Sequence, residues 1–267
     1  YGHPTTASKP GTPSKVKFTA INPAGPSVPD EIDITINALP AVPVISSSSN
    51  NFCIGSSLVL STNGAASLQW YQNNVAISNA TGSSLTVTQA GDYKVLSTST
   101  GGCVRSSLVS SITSSAVPVT GFSINKSNQC LKDNSFEFAN TSSVVGGSLT
   151  YSWTFGDGDT SVLSSPIKSF KTAGTYNITL VVKSDKGCES RISKSITVYA
   201  QPLEPNVLST DSSLCTGRTL ILTTNGDQFL QWYKDSVLIF GSTSSSLLVS
   251  KGGKYRVQNR DNNGCVS

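Results

Sequence analysis

Few side chains in this sequence could do chemistry, and most of those are cysteines. Six Cys stand at positions 53, 103, 130, 188, 215 and 265 of 267 residues, against a single His, His3. His3 lies in an unpatterned N-terminal stretch, which sets aside Ser-His-Asp and Cys-His nucleophile systems and His-based metal sites. Only four Glu occur (Glu31, Glu137, Glu189 and Glu204), in no acid-rich cluster. No catalytic residue is assigned, because catalysis needs convergent groups. No Cys-x-x-Cys spacing offers thiolates to a metal.

The cysteine chemistry that remains is oxidation. An even count of six points to structural disulfides engaging Cys53, Cys103, Cys130, Cys188, Cys215 and Cys265, and so to an oxidising, extracellular compartment. The expected loops, such as Cys53 to Cys103, hold about fifty residues and would each contribute ~4 kcal/mol by the chain-entropy estimate. Such a bond requires Cα atoms about 4.4–6.8 Å apart, which spacing alone does not supply. Asp157 and Asp159 flank Gly158. Oxygen-rich loops suit calcium, but that ion takes six to eight ligands, and Asp beside Gly is ordinary turn chemistry. The turn is the preferred reading, and calcium is the one cofactor considered.

The elements that carry these residues read as strands. Charged residues make up 13% of the chain, about half the usual share. Ser, Thr, Asn and Gly take their place, and Ser and Asn compete with the helix backbone for hydrogen bonds. The net charge of +4 comes from scattered Lys and Arg, not the basic stripe of a nucleic-acid binder. No apolar run reaches 18 residues, so this segment does not insert in a membrane.

Residues 53–103 align with 215–265 without a gap, at an offset of 162, with 23 of 51 positions identical. Trp70 meets Trp232, Tyr93 meets Tyr255, and Thr62-Asn63-Gly64 meets Thr224-Asn225-Gly226. Self-similarity on this scale marks duplicated domains. Within each copy, short alternating runs such as Leu68-Gln69-Trp70-Tyr71 and Tyr93-Lys94-Val95 are separated by Asn, Gly and Ser clusters, the pattern of an all-β sandwich.

The series Cys, Trp-Tyr, Gly-x-Tyr-x-Val, Gly-Cys resembles immunoglobulin-like domains. The resemblance makes Trp70 and Trp232 the core Trp of the third strand and Tyr93 and Tyr255 the tyrosine-corner residues. Val95 and Val257 stand where antibody domains carry the second Cys, so the inter-sheet bond of antibodies is absent. Between the copies, Trp153-Thr154-Phe155-Gly156-Asp157-Gly158 followed by Gly174-Thr175-Tyr176 resembles the PKD domain, with Lys168 where that family usually has His. Trp153, Phe155 and Tyr176 are its expected core, since Trp153 and Phe155 alternate onto one strand face. All three Trp are read as core, not as sugar-stacking platforms.

The expected fold is all-β: tandem immunoglobulin-like and PKD-like antiparallel β-sandwiches in an extended array. Residues 1–39 are expected to be the C-terminal part of a preceding sandwich, with strands at 16–21 and 31–37. Residues 40–116 form an immunoglobulin-like domain, 117–200 a PKD-like domain, and 201–267 a second immunoglobulin-like domain truncated before its last strand. After Cys103, residues 104–113 read as a final strand. Pro-containing linkers (39–43, 117–118, 201–205) would keep the sandwiches in a row, because Pro restricts the backbone.

This mixture resembles the giant surface proteins of Bacteroidota, including gliding adhesins and type IX secretion cargo. The resemblance implies a non-catalytic stalk or adhesin segment on the cell surface. Its partners would be other domains of the same long chain and surface glycans or the secretion and motility machinery. Asp235-Ser236-Val237 resembles an O-glycosylation site of secreted proteins from that group, at Ser236. The alternative is an accessory, substrate- or glycan-binding region of a secreted hydrolase whose catalytic domain lies outside this chain.

Overall fold

The computed structural model describes residues 13–18, 21–26, 30–65 and 67–267, with only the backbone given for the strands before residue 36. Every regular element among them is a β-strand. His3 lies outside the described residues. The N-terminal hairpin pairs Pro13–Phe18 with Asp30–Thr35, antiparallel. Of the strand expected at 16–21, residues 19 and 20 lie outside the described residues, and the strand expected at 31–37 ends at Thr35. Internal contacts divide the chain into two units, Tyr1–Val117 and Pro118–Ser267.

In the first unit, residues 40–116 build a two-sheet sandwich. One sheet orders Ser84–Val87, Leu58–Thr62 and Ile45–Ser47. The other runs Asn51–Cys53, Ser110–Ser115, Gly91–Thr98, Ser67–Gln72 and Val75–Ala76. Alternation decides the core. In Leu58–Thr62 the residues Leu58 and Leu60 are buried and Val59 faces out, as a strand with one wet face requires. The core closes on Leu60, Trp70, Tyr93, Val95 and Ile112. The segment after Cys103 is two strands, not one: Val104–Ser106 and Ser110–Ser115. Buried Ser107 ends the first, its N–H donating to the Val95 carbonyl while the Val95 N–H donates to the Ser107 hydroxyl.

The second unit holds two sandwiches. In the first of them, Glu189–Tyr199 and Gly174–Ser184 form a long hairpin beside Leu149–Thr154. Phe122–Ile124, Phe136–Asn140 and Ile167–Lys168 face it. Trp153 sits at the centre of an aromatic cluster, with ring centroids 5.0 Å from Phe122 and 5.8 Å from Phe138. In the second, Val207–Ser209, Leu220–Thr224 and Ser246–Val249 pack over Val237–Leu238, Phe229–Lys234 and Tyr255–Arg260. Its buried core is smaller, centred on Leu222, Trp232 and Val249.

The repeated Thr-Asn-Gly block has a structural task. Asn63 Oδ1 accepts the Val44 N–H at 2.8 Å, and Asn225 Oδ1 accepts the Asn206 N–H at 2.7 Å. Each Asn thus clamps the linker as it enters its domain. A Cβ at Gly64 or Gly226 would crowd the Leu68 or Leu230 side chain, at 2.7 and 2.5 Å, and approach the linker Pro43 or Pro205.

Candidate functional site

All three sandwiches anchor their central Trp and Tyr in the same way. Trp70, Trp153 and Trp232 are fully buried. Their indole N–H groups donate to the carbonyls of Gly82, Leu163 and Ser244 at 2.8–2.9 Å. Tyr93, Tyr176 and Tyr255 each donate a hydroxyl to the carbonyl four residues upstream, at Gln89, Thr172 and Lys251. This is the tyrosine-corner bond. Burial pushes the Tyr93 phenol above its usual range, and burial with the Asp235 charge does the same at Tyr255. Phe155 is buried beneath the loop that carries Asp157 and Asp159.

The loop that carries Asp157 and Asp159 is closed by an ion pair. Lys168 Nζ lies 2.8 Å from Asp157 Oδ2 and also pairs with Asp159 Oδ2. The two carboxylates have turned onto an ammonium of the protein itself, which supplies the positive charge a cation would bring. Lys168 also lies over the Phe155 and Phe170 rings, 5.9 and 5.4 Å from their centroids. Burial works against the charge on Asp157, but the hydrogen bond from Lys168, the Asp159 N–H and Coulomb attraction hold its carboxyl below the usual range. The same bonds hold Lys168 up against the opposing effect of burial. Among the described residues, no group of three or more metal-ligating side chains converges.

Ser236 lies at an exposed hairpin tip. Asp235 and Ser236 both have positive φ, 49° and 69°, matching Asn73 and Asn74 of the sibling domain, as a type I′ turn requires.

The cysteines depart furthest from expectation. Cys130 bonds Cys265, with Cα atoms 5.5 Å apart and 135 residues between them in sequence. Cys53 and Cys188 are also disulfide-bonded. Cys103 and Cys215 are thiols, Cys215 exposed and Cys103 half-buried. The expected bonds closing fifty-residue loops inside each domain therefore do not form at Cys103 and Cys215. Strand register gives the reason. Cys53 sits beside Ser115 on a short strand parallel to the last strand, while Cys103 follows the far end of Gly91–Thr98. Eight residues at about 3.4 Å each hold them more than 20 Å apart, beyond the reach of a disulfide. Cys130 pairs in register with Tyr199, at the opposite end of its sandwich from the turn that holds Cys188.

Each sandwich therefore has two cysteine places, one at either end. The turn place is built identically three times. The backbone N–H groups of Ser99, Ser184 and Asp261 donate to the carbonyls of Cys103, Cys188 and Cys265 at 2.8–2.9 Å. The side-chain oxygens of the same three residues accept the cysteine N–H in return. Gly102, Gly187 and Gly264 precede the cysteines with φ of 81–86°, a left-handed conformation suited to Gly. The Cys130–Cys265 bond joins the strand place of one sandwich to the turn place of the next, beside Lys126, Gln129, Lys132 and Asn263.

Comparison with known proteins follows this division. Residues 116–199 match the PKD domain family. This middle sandwich is a PKD domain. A stretch of 61 residues is 41% identical to Collagenase ColQ1 of Bacillus cereus strain Q1, covering 22% of this chain and 6% of that protein. A stretch of 60 residues is 42% identical to the pre-pro-metalloprotease PrtV of Vibrio cholerae serotype O1, again covering 22% and 6%. The chain thus spans a small fraction of the length of these relatives. The N-terminal eight immunoglobulin domains of Down Syndrome Cell Adhesion Molecule superpose with a TM-score of 0.51 at 15% identity, covering 97% of this chain and 39% of that one. The PKD domain is thus accompanied by immunoglobulin-like sandwiches in tandem. No catalytic domain is evident among the described residues.

Proposed function

We propose that this chain is a structural segment of a secreted surface protein, a stalk or run of adhesin repeats that carries mechanical load between successive sandwiches. The Cys130–Cys265 bond carries the reading. Tension applied at the chain ends would enter at Cys130, cross the sulfur–sulfur bond and leave at Cys265. The bond caps how far Cys130 and Cys265 can be drawn apart, while the disulfide at Cys188 is a second point at which force can reach the domains between them. The PKD-containing surface proteins of Bacteroidota are the class this fits, and the partners are the flanking domains of the same polypeptide and surface glycans. The local identity to a collagenase and a metalloprotease favours, as the second reading, an accessory arm of a secreted hydrolase.

Single-molecule pulling of the chain by its ends tests the first reading. Residues 130–265 should release no length while the disulfide is intact. With reductant they should release roughly 450 Å, at 3.3–3.6 Å per residue over 135 residues. Release of that length without reductant would refute the load-path reading. Saturable binding of the intact chain to a polymeric hydrolase substrate such as collagen would favour the accessory arm.

A further inference from the structure

The same two cysteine places assign partners to the two thiols. The offset of 162 that relates the immunoglobulin-like domains maps Cys265 onto Cys103 and Cys215 onto Cys53, and it continues without a gap into the linkers, where Pro40 meets Pro202 and Pro43 meets Pro205. Cys103 therefore occupies a turn place, the place that Cys265 uses to bond the preceding sandwich. By the offset Cys215 corresponds to the strand place, which Cys130 uses to bond the sandwich that follows, although Cys215 itself lies between the strands Val207–Ser209 and Leu220–Thr224.

A contact in the structure shows what Cys103 faces. Its sulfur lies 3.6 Å from the Asn37 carbonyl, and Asn37 Nδ2 donates to the Gly101 carbonyl at 3.1 Å. By the offset, Asn37 corresponds to Tyr199, and Tyr199 is the residue that pairs in register with Cys130. The Tyr199 carbonyl further accepts the Leu131 N–H at 2.8 Å, just as the Ser115 carbonyl accepts the Ile54 N–H beyond Cys53. The sulfur of Cys103 thus already lies where a Cys130-type cysteine of a preceding sandwich would stand.

We propose that Cys103 and Cys215 are the two open halves of a disulfide ladder running from sandwich to sandwich. Cys103 takes the strand-place cysteine of a sandwich seated on its N-terminal side. Cys215 takes the turn-place cysteine of a sandwich seated on its C-terminal side. The partner is a further domain of this repeat type, and a second copy of this chain supplies both kinds of cysteine. The chemistry is thiol–disulfide exchange with a small disulfide oxidant such as oxidised glutathione. The Cys215 thiolate attacks one oxidant sulfur and expels a glutathione thiolate. The partner thiolate then attacks the Cys215 sulfur and expels the second. Two protein thiols become one disulfide, and one oxidised glutathione becomes two reduced ones.

The test uses the full chain in a glutathione redox buffer, with C103S and C215S variants, non-reducing electrophoresis and disulfide peptide mapping. Retention of the Cys130–Cys265 peptide pair in each variant reports that the fold is intact. The wild-type chain should form head-to-tail species linked Cys215 to Cys103. Each variant alone should stay monomeric, and an equal mixture of the two should give a single dimer. Symmetric Cys215–Cys215 dimers in C103S, a bond between Cys103 and Cys215 of one chain, or glutathione adducts alone would each overturn the proposal. A second measurement traps thiols by alkylation in protein isolated from its source. Both cysteines should be protected and linked to peptides of the matching place, and alkylation of both would overturn the ladder. The pulling experiment reads Cys130–Cys265 alone, so the load-path reading and the ladder can fail separately.

Discussion

Removing the Cys130–Cys265 bond should destabilise the last sandwich far more than the PKD domain. The double substitution C130S/C265S deletes the bond without adding a free thiol. Sequence separation alone gives a loop of 135 residues and a contribution of about 5 kcal/mol. The structure shortens that loop. While the PKD domain stays folded, Cys130 is held beside Tyr199 by the parallel strand pair. The loop that closes when the last sandwich unfolds therefore runs only from 199 to 265, or 265 − 199 = 66 residues. The logarithmic dependence still leaves about 4 kcal/mol. That falls on a domain whose fully buried cluster is small, while the PKD core holds eleven buried residues. For a domain of this size, ~4 kcal/mol corresponds to a fall in Tm of roughly 15 °C or more. Differential scanning calorimetry without reductant should show the transition of the last sandwich moving down by that amount, with the PKD transition nearly fixed. A shift under about 5 °C, or equal shifts of both transitions, would refute the loop argument.

Two further changes probe the packing. Lys168→Met should cost the PKD domain about 1–2 kcal/mol at pH 7, since it removes a charge-assisted bond to the partly buried Asp157 while the bond to exposed Asp159 adds little. The Asp157 carboxyl is held below its ordinary value, so its contribution is fully present above about pH 4 and is lost as the pH falls through the depressed folded value. The variant should therefore lose less stability than the parent between pH 5 and pH 2, read by urea midpoints, and an unchanged acid slope would contradict this. Trp232→Phe leaves the Ser244 carbonyl without its indole donor and opens a cavity, at a cost of about 2–4 kcal/mol. Unfolding followed by tyrosine fluorescence should show the last sandwich weakened, and a neutral outcome would mean that Trp232 is not its packing centre.

The sandwich fold was legible in the sequence because a strand writes itself with period two, and Leu58-Val59-Leu60 or Trp153-Thr154-Phe155 shows which side is buried. The duplicated Trp and Tyr positions were legible for the same reason. The cysteine joint was not, because bonding depends on which end of a strand each residue occupies, and that follows from register. Two residues fifty apart in sequence look like natural partners until an antiparallel hairpin sends one to each end of the sandwich. One signal was present in the sequence all the same. Ser99, Ser184 and Asp261 each stand four residues before the Cys of a Gly-Cys pair, and the three matching turns mark Cys103, Cys188 and Cys265 as one structural class. The role of Lys168 was hidden differently. Nine residues separate it from Asp159, and only the pairing of Phe136 with Lys168 and of Thr154 with Thr160 brings the two loops together.

The arrangement of the cysteines also separates stability from strength. A disulfide inside a sandwich raises the free energy of unfolding but leaves the chain ends free to be drawn apart through the rest of the domain. A disulfide between the strand place of one sandwich and the turn place of the next limits how far the two domains can be drawn apart, however weak their cores are. Under the proposed stalk reading, that limit is what lets a last sandwich with a small buried cluster sit in a load-bearing segment. The demand falls on the position of two sulfurs, which the Asp261 turn and the strand pair at Tyr199 fix from either side.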